Sequence, residues 1–158
     1  MSQKINNKKI YTFPNFLSFS ICNWYTHFIP SIGEQLEEAS WEERTIDVTN
    51  HDVIKDTQKF INKTFDLNLK VSQAQTQNWH VGTSSPLHVH NHNNREDCVY
   101  TSSIYLNDNF RGGEFYTEKD KIIPEPGLML FFNGQEIKHG VKKVLKKDRK
   151  TIIIWWKG

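Results

Sequence analysis

The sequence predicts a single, mostly β domain: a β-barrel or sandwich of short strands with two N-terminal helices packed outside it. Apolar residues recur at helical spacing up to about residue 65 and alternate with polar residues from residue 67 onward. Glycine and proline turn signals separate the later apolar runs. With 158 residues, of which 37% are hydrophobic and 13% aromatic, the chain can bury one core. We therefore expect one domain over residues 1–158, helical over about 14–65 and barrel-forming over about 67–156.

The helical part contains two apolar stripes. The first helix is predicted within residues 14–30 with Ser18 or Ser20 as its N-cap, and its stripe is expected to pack in the core: Leu17, Ile21, Trp24 and Phe28. The second helix is predicted to begin near Thr49 or Asn50. Its apolar face is expected to consist of Val53, Ile54, Thr57, Phe60 and Ile61.

The β part begins where the hydrophobic period changes to two. Leu67, Leu69 and Val71 alternate with polar residues, which predicts a strand that extends to about Trp79. Further strands are predicted at about residues 98–106, 114–117, 128–132, 141–145 and 151–156. The turns between them are indicated by Gly112-Gly113, the segment PEPG at 124–127, and Asn133-Gly134.

Composition narrows the classes of partner. The formal net charge is only +2, so we expect neither a nucleic-acid partner nor a membrane partner. Cys22 and Cys98 make no disulfide framework and are expected to be reduced thiols. No apolar run resembles a signal peptide or a membrane span, so a cytoplasmic protein is expected. The sequence does not indicate an oligomeric state.

The segment GTSSPLHVHNH, residues 82–92, contains histidines at alternate positions: His88, His90 and His92, with His80 just upstream. Residues i and i+2 of a strand point to the same face, so His88 and His90 can present two imidazoles to one point. Neutral imidazole is the commonest protein ligand for transition metals. An H-x-H pair alone is a weak signal, and surface histidines in a polar loop are the alternative interpretation.

A metal site needs at least one further ligand from elsewhere in the chain. The candidates are His139, His92, Glu96 and Asp97. His139 follows an apolar strand and the turn NGQEIK, whereas the other three lie in the polar segment close to the histidine pair.

Arg149 comes ten residues after His139, at the start of the strongly apolar segment TIIIWW. A guanidinium at the head of a buried strand is costly unless it meets an anion. Such a cation can bind the remote carboxylate of a dicarboxylic cosubstrate whose other end chelates the metal. Thr151, two residues on and on the same strand face, can add a hydroxyl to that carboxylate.

A longer series of residues and motifs runs along the chain in this order: Trp79, Gly82, His88, TSSIYLND (101–108), Gly112-Gly113-Glu114, the PEPG turn, LMLFFNG, His139 and Arg149. Their order and spacing resemble those of the iron(II)- and 2-oxoglutarate-dependent oxygenases of the prolyl 4-hydroxylase type. The segment IYTFPNFLSFSICNW also looks like the start of that family's domain, a strand followed by a helix. The resemblance covers residues 10 to 156.

The resemblance implies a double-stranded β-helix, or jelly roll, whose open mouth holds iron. Its implied cofactors are Fe(II), 2-oxoglutarate and O2. Its implied activity is hydroxylation of a small-molecule or peptide substrate, such as a peptidyl proline or another amino-acid residue, with decarboxylation of 2-oxoglutarate to succinate. The implied metal ligands are His88, His90 and His139, which with Arg149 form the implied catalytic set. The implied cosubstrate-binding residues are Arg149, Thr151, Tyr105 and Trp79.

Two positions depart from the family pattern. His90 stands where the family's usual H-x-D pair has a carboxylate, which leaves a bound iron one unit more positive. Some relatives of the superfamily carry H-x-H at the same place, so the change need not abolish activity. Trp79 stands where tyrosine is frequent, so one hydroxyl is missing. Tyr105 matches a position that hydrogen-bonds the cosubstrate in several members, although an inward core aromatic is an equal alternative.

Two other functions remain open at this stage. Gly82 followed by His88-Val89-His90 also fits the first motif of the cupins, metal-binding barrels that include dioxygenases and isomerases, with Glu96 near their glutamate. The second cupin motif needs a histidine soon after its P-x-G turn, and His139 comes late for it. The other possibility is a degenerate, non-catalytic barrel, for which His90 is the main argument.

Overall fold

The computed structural model describes residues 3–30, 44–90 and 97–158. In that part of the chain the helices are α1 (Phe19–Phe28) and α2 (Asp52–Phe65). The strands, in chain order, are β1 (Tyr11–Phe13), β2 (Thr45–Asp47), β3 (Lys70–Trp79), β4 (Ser85–His88), β5 (Tyr100–Tyr105), β6 (Arg111–Gly112), β7 (Phe115–Tyr116), β8 (Lys121–Ile122), β9 (Met129–Asn133), β10 (His139–Val141), β11 (Val144–Lys146) and β12 (Arg149–Lys157). Of the helices described, none is long and apolar enough to cross a membrane.

The strands form two main antiparallel sheets. The larger has the order β1-β9-β5-β12-β3-β2 and the smaller has the order β4-β10-β7-β8, while β11 and β6 form a separate pair. One cavity is lined by residues of both main sheets, so the sheets face each other. The predicted mostly β class is therefore confirmed, and the described strands do not form one continuous hydrogen-bonded ring.

Strand β12 is the centre of the larger sheet because it pairs with β3 on one side and with β5 on the other. Its side chains alternate, as the sequence predicted. Ile152, Ile154 and Trp156 point away from the smaller sheet, into the hydrophobic core beneath the helices. Arg149 and Thr151 belong to the opposite face, which looks toward the smaller sheet.

The outer core joins the larger sheet to α2. The helix contributes a buried stripe in which i, i+3 and i+4 spacings recur: Ile54, Thr57, Ile61 and Phe65. This confirms most of the predicted face, although Val53 and Phe60 are only partly buried. The N-cap is His51 and not Thr49 or Asn50, and its side chain caps no helical N–H; instead His51 Nδ1 lies 2.8 Å from Tyr25 Oη.

The predicted core stripe of the first helix is wrong in part. Ser18 caps the helix by accepting a hydrogen bond from the Ile21 N–H, as expected, but Ile21 and Trp24 are 41% and 55% exposed. The residues that α1 buries are Cys22 and Tyr25. The inward face is thus rotated by about one residue, and Trp24 stacks on Phe28 with 5.0 Å between ring centroids, outside the core.

We expect Ile154→Ala to lower the free energy of unfolding by roughly 2–5 kcal/mol, because it leaves a cavity among fully buried neighbours. The matched control is Ile123→Ala, at a side chain that is 74% exposed, which should change stability by no more than about 0.5 kcal/mol. Urea unfolding curves of both variants measure the difference. Equal losses in the two variants would contradict the position of the outer core.

Candidate metal centre and cosubstrate cavity

Three histidines meet between β4, the segment after it, and β10. His88 ends β4 and pairs directly with His139 on β10. The chain continues to His90, whose backbone N–H donates to Gly134 O over 2.8 Å. One ligand nitrogen from each of the three imidazoles lies within 4.8 Å of the others, and His90 Nε2 is 2.9 Å from His139 Nε2. The arrangement presents three nitrogen ligands to a single point, as a transition-metal site requires.

Backbone carbonyls orient two of these rings. His88 Nδ1 lies 2.8 Å from Pro86 O, and His139 Nδ1 lies 2.8 Å from Ile137 O. A carbonyl oxygen only accepts, so each Nδ1 carries the proton and each Nε2 keeps its lone pair for a metal. The geometry thus selects the tautomer that coordination needs.

His139 is also held in the neutral state. Burial lowers the pKa of its imidazole to about 4, with the Ile137 carbonyl opposing this shift and the charge of His88 adding to it. An imidazole must be deprotonated at one nitrogen to coordinate a metal. At neutral pH His139 therefore presents a ligand and not a positive charge.

The other candidate ligands lie elsewhere or outside the described residues. Asp97 is exposed and accepts a hydrogen bond from Cys98 Sγ at 3.6 Å, and it is not part of the metal-competent cluster. His80 is buried with Nδ1 3.0 Å from Val81 O, also away from the cluster. His92 and Glu96 lie outside the described residues.

Arg149 is the other notable feature of this region. Only 1% of its surface is exposed, and its Nε donates to Gly113 O at 2.8 Å. Its guanidinium carbon lies 5.7 Å from the ring centroid of Trp79 and 5.2 Å from that of Tyr105. Within the described ranges no carboxylate forms an ion pair with it. A buried guanidinium held in this way is ready to bind an anionic ligand.

Two buried hydroxyls belong to residues that are neighbours of Arg149 in the sheet. Thr151 pairs with Tyr105 across β12 and β5, and Arg149 precedes Thr151 by two residues on the same face. Tyr105 Oη and Thr151 Oγ1 have no hydrogen-bond partner among the described residues. Buried hydroxyls normally do have partners, so this pair, with the cation beside it, suits a carboxylate ligand.

A cavity of about 280 Å³ connects the histidine cluster to Arg149. Its lining includes all three histidines, Arg149 and Trp79. Trp79 donates its Nε1–H to Gln77 Oε1 at 2.9 Å, so its indole offers the guanidinium a ring face and leaves the N–H engaged elsewhere. The cavity therefore brings together His88, His90, His139, Arg149 and Trp79, while Tyr105 and Thr151 lie next to Arg149 in the sheet.

Sequence reasoning missed two residues next to His90. Thr101 Oγ1 lies 3.1 Å from His90 Nδ1. Gly134 is so close that an added Cβ would lie 2.6 Å from the same nitrogen. The sequence marked Gly134 as a turn signal and Thr101 as part of a strand, and both lie in segments that carry the family resemblance, but it gave neither residue a role at the site. Thr101 and Tyr105 are four residues apart on β5 and therefore point to the same face, which is the one sequence signal that places Thr101 beside the cavity.

Comparison with known proteins gives a consistent result. The sequence profile of the family described as "2OG-Fe(II) oxygenase superfamily" matches residues 69–157. A 65-residue stretch is 42% identical to human prolyl 3-hydroxylase 2, covering 36% of this chain and 9% of that protein. Chicken prolyl 3-hydroxylase 1 is 37% identical over 65 residues, again 9% of its length. The chain thus spans only a small part of the length of these curated relatives.

Solved structures show the same fold. The viral collagen prolyl hydroxylase of Paramecium Bursaria Chlorella virus-1, in a 2OG complex, superposes with a TM-score of 0.72 at 18% identity over 96% of each chain. A Pseudomonas putida prolyl-4-hydroxylase gives a TM-score of 0.67 at 15% identity, covering 94% of this chain and 91% of that one. A Trichoplax adhaerens prolyl hydroxylase in complex with a peptide fragment gives 0.62 at 18% identity, over 94% and 83%. These likenesses confirm the predicted double-stranded β-helix.

The arrangement of the cluster generates a metal-binding prediction. We expect His90→Ala to weaken binding of one divalent ion by roughly a hundredfold or more, since losses in the outer shell of a metal site alone cost about 10–100-fold. Anaerobic titration with Fe(II) or Co(II) against a competing chelator measures the affinity. Asp97→Ala is the control and should bind as the wild type does. Full metal content in His90→Ala together with loss in Asp97→Ala would move the third ligand to Asp97.

Proposed function

Because this chain belongs to the 2OG-Fe(II) oxygenase superfamily, we propose that it is a 2-oxoglutarate-dependent hydroxylase acting on an amino-acid residue, with a peptidyl proline as the first candidate. One observation carries the proposal: the three histidines and the buried Arg149 line the same cavity. That arrangement suits a cosubstrate that chelates a metal at one end and binds a cation at the other. The cupin-type alternative gives Arg149 no such role.

The residues present fit Fe(II). His88, His90 and His139 would hold it through their Nε2 atoms, since the Nδ1–H groups of His88 and His139 donate to backbone carbonyls. Imidazole is a suitable ligand for ferrous iron. With 2-oxoglutarate and O2, the bound iron supplies the oxidising chemistry of the reaction, in which 2-oxoglutarate becomes succinate and CO2. The protein's part is to position the reactants and exclude water.

Arg149 would bind the distal carboxylate of 2-oxoglutarate. Its Nε is occupied by Gly113 O, which leaves the terminal N–H groups for the ligand. Cation–π contacts with Trp79 and Tyr105 help to hold the guanidinium in place before the ligand arrives. The hydroxyls of Tyr105 and Thr151 would donate to the same carboxylate, which gives each of these buried groups a partner.

The neutral ligand set changes the electrostatics of the centre. A metal held by three imidazoles keeps its full charge of 2+, whereas the usual carboxylate removes one unit. Retention of the metal then depends on the imidazoles alone, and an anionic 2-oxo acid gains attraction to the more positive ion. We therefore expect the affinity of this chain for the metal to rise when the cosubstrate is bound, and its affinity for the cosubstrate to rise when the metal is bound.

An amino-acid residue as substrate is supported by the cavity walls. Phe115, Ile153 and Trp155 present apolar and aromatic surface beside the histidines. A saturated proline ring can pack against such a surface, and it carries no charge that burial would leave unpaired. The relatives in the comparison include prolyl hydroxylases, and the Trichoplax adhaerens enzyme was solved with a peptide fragment. A proline within a peptide is the first candidate on both grounds.

Removal of the guanidinium tests the cosubstrate site. We expect Arg149→Ala to weaken 2-oxoglutarate binding a hundredfold or more, because breaking a buried ion pair costs on the order of 3–5 kcal/mol. Anaerobic titration of the Fe(II)-loaded protein follows the visible charge-transfer band of the chelated 2-oxo acid. Arg111→Ala, at an exposed arginine of β6, is the matched control and should bind normally. Absence of any band in iron-loaded wild type would contradict the cosubstrate assignment.

Turnover tests the activity itself. We expect the iron-loaded protein to release succinate from 2-oxoglutarate, and to release more in the presence of a peptide pool that contains its substrate. Paired peptides with proline and with alanine at the same position test the first candidate, with mass spectrometry for a gain of one oxygen atom. Metal-loaded protein that forms no succinate with any peptide or free amino acid would favour the non-catalytic barrel.

A further inference from the structure

We propose that Thr101 and Gly134 are positioning residues that fix His90 as the third metal ligand, an inference that rests on the proposed function. His90 occupies the position at which the sequence departs from the family pattern. An imidazole is larger than a carboxylate and coordinates through one defined nitrogen, so its ring has to be placed and its tautomer chosen. The surroundings of His90 place the ring and stabilise a proton on Nδ1, with residues that the metal itself would not touch.

Thr101 is a rigid neighbour for the ring. It lies within β5, pairs with Phe132 on β9 and Trp155 on β12, and is 2% exposed. Its side chain lines the cavity beside the histidines, with Oγ1 3.1 Å from His90 Nδ1. A hydroxyl in the middle of a sheet moves little, so this contact holds the ring in one orientation.

The same contact is compatible with the tautomer that coordination through Nε2 needs. His90 Nε2 faces His139 Nε2 at 2.9 Å, so Nε2 is the nitrogen directed into the cluster. Coordination through Nε2 leaves the proton on Nδ1, where Thr101 Oγ1 accepts it. Pro86 O and Ile137 O perform this task for the other two histidines. For His90 the acceptor is a side-chain hydroxyl, which could also donate, so coordination through Nε2 sets the tautomer and Thr101 stabilises the resulting Nδ1–H.

Gly134 holds the other side of the ring. Its N–H donates to Val99 O at 3.0 Å, and its carbonyl accepts the His90 N–H at 2.8 Å, so its backbone is fixed next to the ligand. A Cβ on Gly134 would lie 2.6 Å from His90 Nδ1 and 2.9 Å from Thr101 Oγ1. Its φ is not positive, so glycine is needed here for close approach and not for backbone conformation. Any side chain would press on the ring and on its hydrogen-bond partner together.

The first test removes the hydroxyl while keeping the shape. We expect Thr101→Val to bind Co(II) or Fe(II), without cosubstrate, about 10–100-fold more weakly than the wild type. Thr101→Ser keeps the hydroxyl and should restore affinity to within a few-fold of the wild type. The matched control is Thr76→Val, at a buried threonine outside the cavity lining whose hydroxyl has no partner among the described residues; it should bind metal normally. Unfolding curves for each variant separate a local effect from a loss of structure.

The second test compresses the ring. We expect Gly134→Ala to lower metal affinity by a similar factor of about 10–100, with the same Nδ1–H disturbed. The third measurement needs no variant. In the Zn(II)-loaded wild type, long-range ¹H–¹⁵N correlation should show the His90 ring protonated at Nδ1, with a nuclear Overhauser contact to Thr101. In Zn(II)-loaded Thr101→Val or Gly134→Ala this proton should exchange faster with solvent.

The outcomes separate this inference from the proposed function. Wild type that binds no metal, or His90→Ala that binds as well as wild type, overturns the ligand set and the inference with it. Wild type that binds metal through His90 while Thr101→Val binds equally well, or Thr101→Ser binds as weakly as Thr101→Val, overturns the inference alone. If Thr101→Val does not fold, the wild-type spectrum decides: a His90 ring with no contact to Thr101 overturns the assignment.

Discussion

The buried charge of Arg149 constrains this site more than any other feature. A guanidinium with 1% exposure at the head of the central strand has to be satisfied from within the fold. The backbone carbonyl of Gly113 and the two flanking aromatic rings satisfy it in part, while its remaining N–H groups and the adjacent hydroxyls of Tyr105 and Thr151 are suited to an anion. The larger sheet thus carries a polar pocket on a face that the rest of the fold would fill with apolar side chains.

Strand β12 contributes to both the apolar core and the polar cavity, because its side chains alternate between the two faces of the sheet. Its outward residues hold the helix against the sheet, and its inward residues begin with Arg149. The two functions share one backbone, because successive residues of a strand point to opposite faces. The smaller sheet brings His88 and His139 to the other side of the cavity, so the candidate metal ligands and Arg149 stand on opposite sides, at a separation set by core packing.

Those features of the fold that rest on periodicity could be predicted from the sequence. Alternation from residue 67 and the apolar runs near 98–106, 128–132 and 151–156 indicated the strands β3, β5, β9 and β12, though not their order in the sheet. The H-x-H spacing indicated that His88 and His90 could point to one place. Helix α1 could not be predicted as well, because apolar residues at 21 and 24 recur at helical spacing yet remain on the surface. Thr101 and Gly134 were missed for a different reason: their closeness to His90 is a contact between distant parts of the chain, and no local pattern encodes it.

The register between β4 and β10 has a further consequence. His88 and His139 are cross-strand partners, and His90 extends the set into the segment that follows β4. An ion held by all three would act as a cross-link that only the folded chain can form. Stability then depends on the concentration of free metal: an ion at a hundred times its dissociation constant raises the free energy of unfolding by about 2.7 kcal/mol. Iron supply would thereby affect the stability of the protein, because the ion would tie the smaller sheet to the segment that packs against Thr101 of the larger sheet.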